Sequence, residues 1–257
     1  MTSDTHSSAT SPSAGTTSRT AIVTGASGGI GAAVSARLGA DGYAVVVHYS
    51  GNAERAEATV KQVRAAGGRA VAVRADIADE VAVAAMFDVA EQQFGGVDVV
   101  VNCAGSMKLA TVVDADLAEV DAMHRTNIRG SFVIAQQAAR RVRPGGAIIT
   151  FSTSVIRLSP PTYAAYAASK GAVEAMTLIL AREMRGKNVT VNAVAPGPTA
   201  TALFTDGKSE QAIAGAAKAN PLQRLGQPED IAEVVAFLAG PGRWVNGQVV
   251  YANGGMA

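Results

Sequence analysis

From residue 20 onward the chain alternates short, unbroken apolar runs with longer segments whose apolar residues recur at helical spacing. Runs at 21–24, 44–49, 70–74, 97–102, 147–151, 189–194 and 248–251 predict strands, being too short for helices and rich in β-branched residues. Segments 29–41, 53–66, 80–94 and 121–142 predict helices. So do the stretch that carries Tyr166 and ends near Arg185, and a last one opening at Pro228-Glu229-Asp230. There, proline and two acids stand where a first helical turn favours them. Residues 198–226 are less regular. Strands that stay apolar at every position are covered on both faces. Repeated strand–helix units imply right-handed crossovers. The pattern therefore predicts an α/β fold: one domain over residues 19–257, a doubly wound parallel sheet flanked by helices on both faces.

Composition narrows the chemistry. The 257 residues are 48% hydrophobic and 17% charged, with 27 glycines, which suits one large α/β domain. A net charge of +1 argues against a nucleic-acid surface or a polybasic membrane anchor. Cys103 is alone and cannot form an internal disulfide; His6, His48 and His124 are scattered, so no metal site is expected. Residues 1–18 are rich in Ser and Thr, with no apolar block, and read as a disordered tail rather than a secretory signal. No apolar run approaches a membrane span. A soluble, cytoplasmic protein is the expectation.

Candidate chemistry collects at the carboxyl ends of the predicted strands, where ligands bind in such sheets. Thr24-Gly25-Ala26-Ser27-Gly28-Gly29-Ile30-Gly31 follows the first strand and opens the first helix. Glycines allow a sharp turn and close approach to a pyrophosphate, and the helix N-terminus supplies free N–H groups. Gly25, Ser27, Gly29, Ile30 and Gly31 are the expected contacts. At the end of the second strand, Tyr49 stands where a carboxylate would bind an NAD ribose, followed by Ser50-Gly51-Asn52. Without that acid a 2′-phosphate meets no repulsion, and Ser50, Asn52 and Arg55 could bind it. NADP(H) is expected in preference to NAD(H). Asp76-Ile77, after the third strand, could accept from an adenine amino group. Asn102, Ala104 and Gly105 follow the fourth strand, where small residues let the chain pass beside a cofactor. Tyr166 and Lys170 lie four apart on a predicted helix, on one face. The ammonium is expected to favour the phenolate and to tune the phenol for proton transfer.

The combination of TGASGGIG, NCAG, YAASK and Ala195-Pro196-Gly197-Pro198-Thr199, in that order, resembles the short-chain dehydrogenase/reductase family over residues 19–257. Its overall character is most similar to the 3-oxoacyl-carrier-protein reductase-like branch. The resemblance implies a Rossmann-type fold and NADP(H)-dependent interconversion of a carbonyl and a secondary alcohol. It further implies a tetrad. Tyr166 is the acid/base; Lys170 lowers its pKa and holds the nicotinamide ribose; Asn127 holds a water linking Lys170 to solvent. The fourth member is a hydroxyl donor to the developing oxyanion. The family's usual spacing selects Thr153, whereas the local Ser-Val pattern selects Ser154, the preferred reading. Pro196, Gly197 and Thr199 match the nicotinamide-side turn, and residues 198–222 a substrate lid. Asn253 stands where the family usually has Asp, expected to affect local bonding and not the chemical step. A homotetramer (or homodimer) is implied, with the Asn127 and Tyr166 helices packing across one subunit interface. A nucleotide-sensing protein on the same fold, and an epimerase or dehalogenase, are the rival readings.

Overall fold

The computed structural model describes residues 18–257. The tail predicted over residues 1–18 therefore falls outside the described residues except for Ser18, whose hydroxyl donates to the Gly42 carbonyl. Seven strands form one sheet: β1 (Thr20–Thr24), β2 (Ala44–Tyr49), β3 (Arg69–Arg74), β4 (Val97–Asn102), β5 (Val142–Phe151), β6 (Thr190–Pro196) and β7 (Val249–Ala252). Their order is β3-β2-β1-β4-β5-β6-β7 and every pair is parallel. Strand order reverses between β1 and β4, opening a crevice at their carboxyl ends.

Alternation along each strand sends side chains to two separate cores. Ala21, Val23, Val99 and Val101 join the first, under α1 (Gly29–Ala40), α2 (Ala53–Ala65) and α10 (Pro228–Ala239). Ile22, Val97 and Val100 join the second, under α3 (Glu80–Phe94), α5 (Ser131–Arg141) and α7 (Ala164–Glu183). Both faces are covered, which is why the strands read as continuous apolar runs. Local signals fix the helix ends. Asn52 caps α2 by accepting from Arg55 N, Asp79 caps α3, and left-handed Gly95 ends α3 at φ 85°. Gln227 and Asp230 form a reciprocal capping box around Pro228.

Two predictions are corrected. The single helix expected over 121–142 is α4 (Leu117–His124), a π-helical segment (Arg125–Gly130) and then α5. Val142 already belongs to β5, which starts five residues before the predicted 147. The less regular stretch after residue 198, expected as the lid, holds two helices, α8 (Ala202–Thr205) and α9 (Glu210–Ala219). A short helix, α6 (Val155–Leu158), precedes a loop in which Ser159 (φ 48°) and Thr162 (φ 73°) are left-handed. A β-branched residue with positive φ is uncommon, and this loop borders the site described next. Among the described residues no helix is long and apolar enough to cross a membrane.

Candidate active site

A cleft of about 920 Å³ runs along the carboxyl ends of the strands, from Arg55 and Asp76 at one end to Tyr163, Phe204 and Met256 at the other. Its floor is the turn between β1 and α1. A Cβ on Gly31 would collide with the Gly25 carbonyl, and one on Gly25 would come within 2.9 Å of the Ala104 backbone. At Gly28 the same added atom meets nothing within 4 Å. Gly28 caps α1 with no side-chain hydrogen bond, so the first-turn amides have no side-chain acceptor. A tight turn, an open cradle and an uncapped helix end fit a pyrophosphate.

His48 braces this turn. It is buried; its Nδ1 accepts from Gly25 N at 3.1 Å and its Nε2 faces the Ala75 carbonyl at 3.1 Å. Accepting at Nδ1 leaves the proton on Nε2, and burial lowers the imidazole pKa, so the ring stays neutral. The sequence reading gave His48 no role. A lone histidine at the fifth place of Ala-Val-Val-Val-His-Tyr was the available signal, because a buried ring needs two partners.

The cofactor candidates divide. Gly25, Ser27, Gly29, Ile30, Gly31, Ser50, Asp76, Ile77, Ala104, Gly105, Pro196, Gly197 and Thr199 all line the cleft, as does Arg55. Tyr49, Asn52 and Asn102 do not. Tyr49 packs against the first core, one strand position out of phase with His48. The Asn52 carboxamide is used as the α2 cap. Asn102 accepts from Thr24 Oγ1 at 2.6 Å and donates to Ser131 Oγ at 2.9 Å, tying β1, β4 and α5 together behind the cleft. Thr24 Oγ1 in turn accepts from Ala104 N. Asp76 accepts from Ala78 N at 2.9 Å and from Arg125 at 2.6 Å; these bonds, the backbone one first, hold its carboxyl below the usual range.

At the other end the tetrad candidates assemble around β5 and α7. Three successive hydroxyls end β5, and each points elsewhere. Ser152 donates to Glu174 at 2.5 Å. Thr153 stands beside the Tyr166 phenol and pulls its pKa down, while its Oγ1 accepts from Val155 N at 3.3 Å. Ser154 donates to the Ala195 carbonyl at 3.3 Å and accepts from Asn253 Nδ2 at 3.0 Å. Thr153 and Ser154 both line the cleft, but the Ser154 hydroxyl is engaged by β6 and the Asn253 turn, which turns the preference from Ser154 to Thr153, the hydroxyl beside Tyr166.

Lys170 is buried, and its Nζ donates to the Phe151 carbonyl at 2.8 Å. Burial pulls its pKa down to about 8. Burial likewise pushes Tyr166 up to about 12, with the nearby Thr153 hydroxyl pulling the other way. The expectation that Lys170 brings Tyr166 down is therefore not met in this form of the protein. Nζ sits 5.9 Å from the phenol ring centroid and is spent on a backbone carbonyl. Asn127 is wholly buried in the π-helical segment, off the cleft wall. Its carboxamide accepts from Ser106 N and donates to the Ser106 carbonyl and Ser169 Oγ, at 2.9–3.0 Å. A Cβ on Gly105 would lie 3.2 Å from Asn127 Oδ1 and 3.4 Å from Lys170 Nζ, so the two polar groups flank that glycine. The widened turn, a frequent mark of functional helices, had no signal in the sequence beyond an Asn within a helix. Cys103 also lines the cleft; burial pushes its thiol up, so it stays protonated at neutral pH. Among the described residues no group of three His, Cys, Asp or Glu could hold a metal.

Comparison with known proteins agrees with this geometry. Residues 25–257 match the family described as enoyl-(acyl carrier protein) reductase. The chain is 46% identical over 248 residues to a short-chain type dehydrogenase/reductase of Picea abies, covering 92% of each. It is 39% identical over 266 residues to an NADPH-dependent aldehyde reductase-like protein, chloroplastic, of Arabidopsis thaliana, covering 98% of each. Among solved structures, a short-chain dehydrogenase from Burkholderia cenocepacia J2315 in complex with NADP superposes with a TM-score of 0.86 at 38% identity. That match covers 93% of this chain and 97% of the other.

Proposed function

We propose that this chain, which belongs to the short-chain dehydrogenase/reductase family, is an NADP(H)-dependent reductase that interconverts a carbonyl and a secondary alcohol. The carrying observation is the meeting, on one cleft wall, of the Tyr166 phenol, the Thr153 hydroxyl and the buried Lys170 ammonium, with the glycine turn on the floor of the same cleft. The cofactor, when bound, supplies the hydride. Gly25, Ser27 and Gly29–Gly31 would hold its pyrophosphate on the α1 amides, and Asp76 and Ile77 its adenine. Ser50 and Arg55, on the wall where no carboxylate stands at the end of β2, favour a 2′-phosphate. The NADP in the Burkholderia structure and the NADPH-dependent title of the Arabidopsis relative support the same choice.

The rest is work for this chain's residues. Tyr166 delivers its proton to the carbonyl oxygen as negative charge develops there. Thr153 donates a second hydrogen bond to that oxygen, the role earlier given to Ser154. Lys170 stands beside the phenol as the relay for its proton, and Asn127 holds the route by which Lys170 is re-protonated. Met107, Leu158, Leu203, Phe204 and Met256 make the substrate end apolar. That suits an apolar carbonyl, 3-oxoacyl thioesters among the candidates.

Apolar side chains exposed on the same helices, Phe132 at 59% and Ile179 at 58%, support assembly into a homotetramer through α5 and α7. A cytoplasmic site of action belongs to the same proposal, and cell fractionation reads it.

The test is NADPH oxidation by purified protein against aldehydes, ketones, acetoacetyl thioesters and enoyl thioesters, repeated with NADH. Turnover of carbonyls with higher kcat/KM for NADPH is expected. Tight NADPH binding without turnover would instead establish a sensor, and turnover of enoyl thioesters alone would overturn carbonyl chemistry. Light scattering that shows a stable monomer would remove the assembly.

A further inference from the structure

Asn253 lies in the turn after β7 and is buried, yet its carboxamide and carbonyl reach three separate segments: Ser154 on the cleft wall, Ala257, and Asn220 at the end of α9. Its Nδ2 donates to Ser154 Oγ at 3.0 Å and to the Ala257 carbonyl at 3.2 Å. Its backbone carbonyl accepts from Asn220 Nδ2 at 2.8 Å. Asn220 is buried too; it closes α9, the last helix of the lid, and its Oδ1 accepts from Leu222 N at 2.8 Å. Ser154 is anchored at the other end by its own amide, which donates to the Pro196 carbonyl at 2.9 Å. It is covalently joined to Thr153. Met256, inside the Asn253–Ala257 turn, lines the substrate end of the cleft.

Close packing makes this arrangement stiff. A Cβ on Gly197 would come within 2.9 Å of Asn253 Cα, and one on Gly254 (φ 65°) would collide with the Asn220 carboxamide. Glycines at both places let the two asparagines approach. The donor character of Nδ2 also matters. An aspartate there would set an acceptor against the Ala257 carbonyl and would compete with the Ala195 carbonyl for the Ser154 proton.

We propose that Asn253 is a positioning residue that holds the Thr153 hydroxyl loop and the substrate lid in one register, with Ser154 and Asn220 as its two arms. The proposal rests on the reading of Thr153 as the hydroxyl partner of Tyr166. It reverses the expectation that this position leaves the chemical step untouched. The two arms carry separable consequences. Loosening Ser154 lets Thr153 drift from Tyr166. Because the nearby Thr153 hydroxyl favours the phenolate, its drift moves the kinetic pKa of the acid/base upward. Loosening Asn220 frees the lid and weakens hold on the carbonyl substrate.

The experiment is a set of pH–rate profiles in the alcohol-oxidation direction, with KM for alcohol and for NADP, on Asn253→Ala, Asn253→Asp, Ser154→Ala, Asn220→Ala and Thr153→Val. Asn253→Ala should lower kcat about tenfold, as small misplacements at reacting groups do, shift the rise of kcat to higher pH and raise KM for alcohol. Asn253→Asp should not rescue it. Ser154→Ala should reproduce the pH shift alone, and Asn220→Ala the KM increase alone, with KM for NADP unchanged in both. An Asn253→Ala enzyme that only melts earlier, with an unmoved pH profile and KM, overturns the proposal. If that variant fails to fold, Ser154→Ala and Asn220→Ala decide it, and unchanged kinetics in both overturn it. A wild-type profile for Thr153→Val refutes the catalytic reading instead, which separates the two failures.

Discussion

Replacing Lys170 with methionine should make the cofactor-free protein more stable at neutral pH while removing its activity. Burial lowers the Lys170 pKa from 10.5 to about 8. At ~1.4 kcal/mol per unit, holding the ammonium protonated inside the folded protein costs about 3 kcal/mol. Against that, the Phe151 carbonyl loses its 2.8 Å donor, a loss of about 1–2 kcal/mol. Methionine fills a similar volume without charge. The net gain is about 1–2 kcal/mol, or roughly 3–6 °C in Tm for a domain of this size. The sign depends on pH. Below about pH 8 the lysine is protonated both folded and unfolded, and the penalty is full. Between about 8 and 10.5 the unfolded chain binds more protons, so wild-type stability climbs with pH. Above that window the penalty is gone and only the lost carbonyl bond remains. Reversible denaturant unfolding of both proteins at pH 7 and pH 10 measures this. A variant less stable than wild type at pH 7, or a difference that does not change with pH, would refute the assignment of Lys170 as a desolvated cation.

Tyr166→Phe should lower kcat by about 10²–10⁴, the usual worth of general acid–base catalysis, while fluorescence titration finds NADPH affinity nearly unchanged. Gly31→Ala should abolish NADPH binding in the same titration, because the added methyl collides with the Gly25 carbonyl that shapes the turn. Asp98→Ala should cost about 2–4 kcal/mol in urea unfolding; it strands the Thr20 amide, held at 2.7 Å, and the Arg143 guanidinium, held at 2.6 and 2.9 Å. Since the phenol sits at about 12, alcohol oxidation, which needs the phenolate, should accelerate from pH 7 to 9. Carbonyl reduction, which needs the phenol, should stay flat up to pH 8; an acceleration of both would exclude Tyr166 as the shared acid and base.

Strand positions and the glycine turn were legible because they are set by local physics: burial on both faces writes unbroken apolar runs, and a helix start over a phosphate demands glycine. Tyr166 and Lys170 were legible through helical spacing, Asp76 and Gly105 through their places at strand ends, and Thr199 through the resemblance carried by its Pro-Gly-Pro-Thr turn; all five line the cleft. What failed depended on direction rather than identity. Ser152, Thr153 and Ser154 carry chemically similar hydroxyls, and only tertiary packing sends one to Glu174, one to Tyr166 and one to Asn253. Tyr49 was placed at the cleft by counting residues, but strand alternation turns it toward the core and gives the cleft His48 instead. Asn52 was read as a ligand when an Asn before a helix is first of all a cap. The π-helical segment left no mark, since a one-residue widening of the helix does not alter the apolar pattern enough to be seen.

The pKa values of Tyr166 and Lys170 bear on how such a site is kept ready. Tyr166 and Lys170, the pair proposed to exchange a proton with substrate and with solvent, are both buried, and burial drives each toward its neutral form. A phenol at about 12 is a dependable proton store at neutral pH, which suits reduction. A lysine at about 8 can change charge with little driving force, which suits a relay. Neither property arises from the Tyr–Lys spacing alone. Both come from the depth at which β5 and α7 hold the pair: desolvation leads each shift, and the neighbouring Thr153 pulls the phenol the other way. Changes that leave Tyr166 and Lys170 intact but reshape this surround, at Thr153, Ser154 or Asn253, should therefore move the pH profile. Changes at the cofactor turn should move cofactor affinity and leave the profile in place.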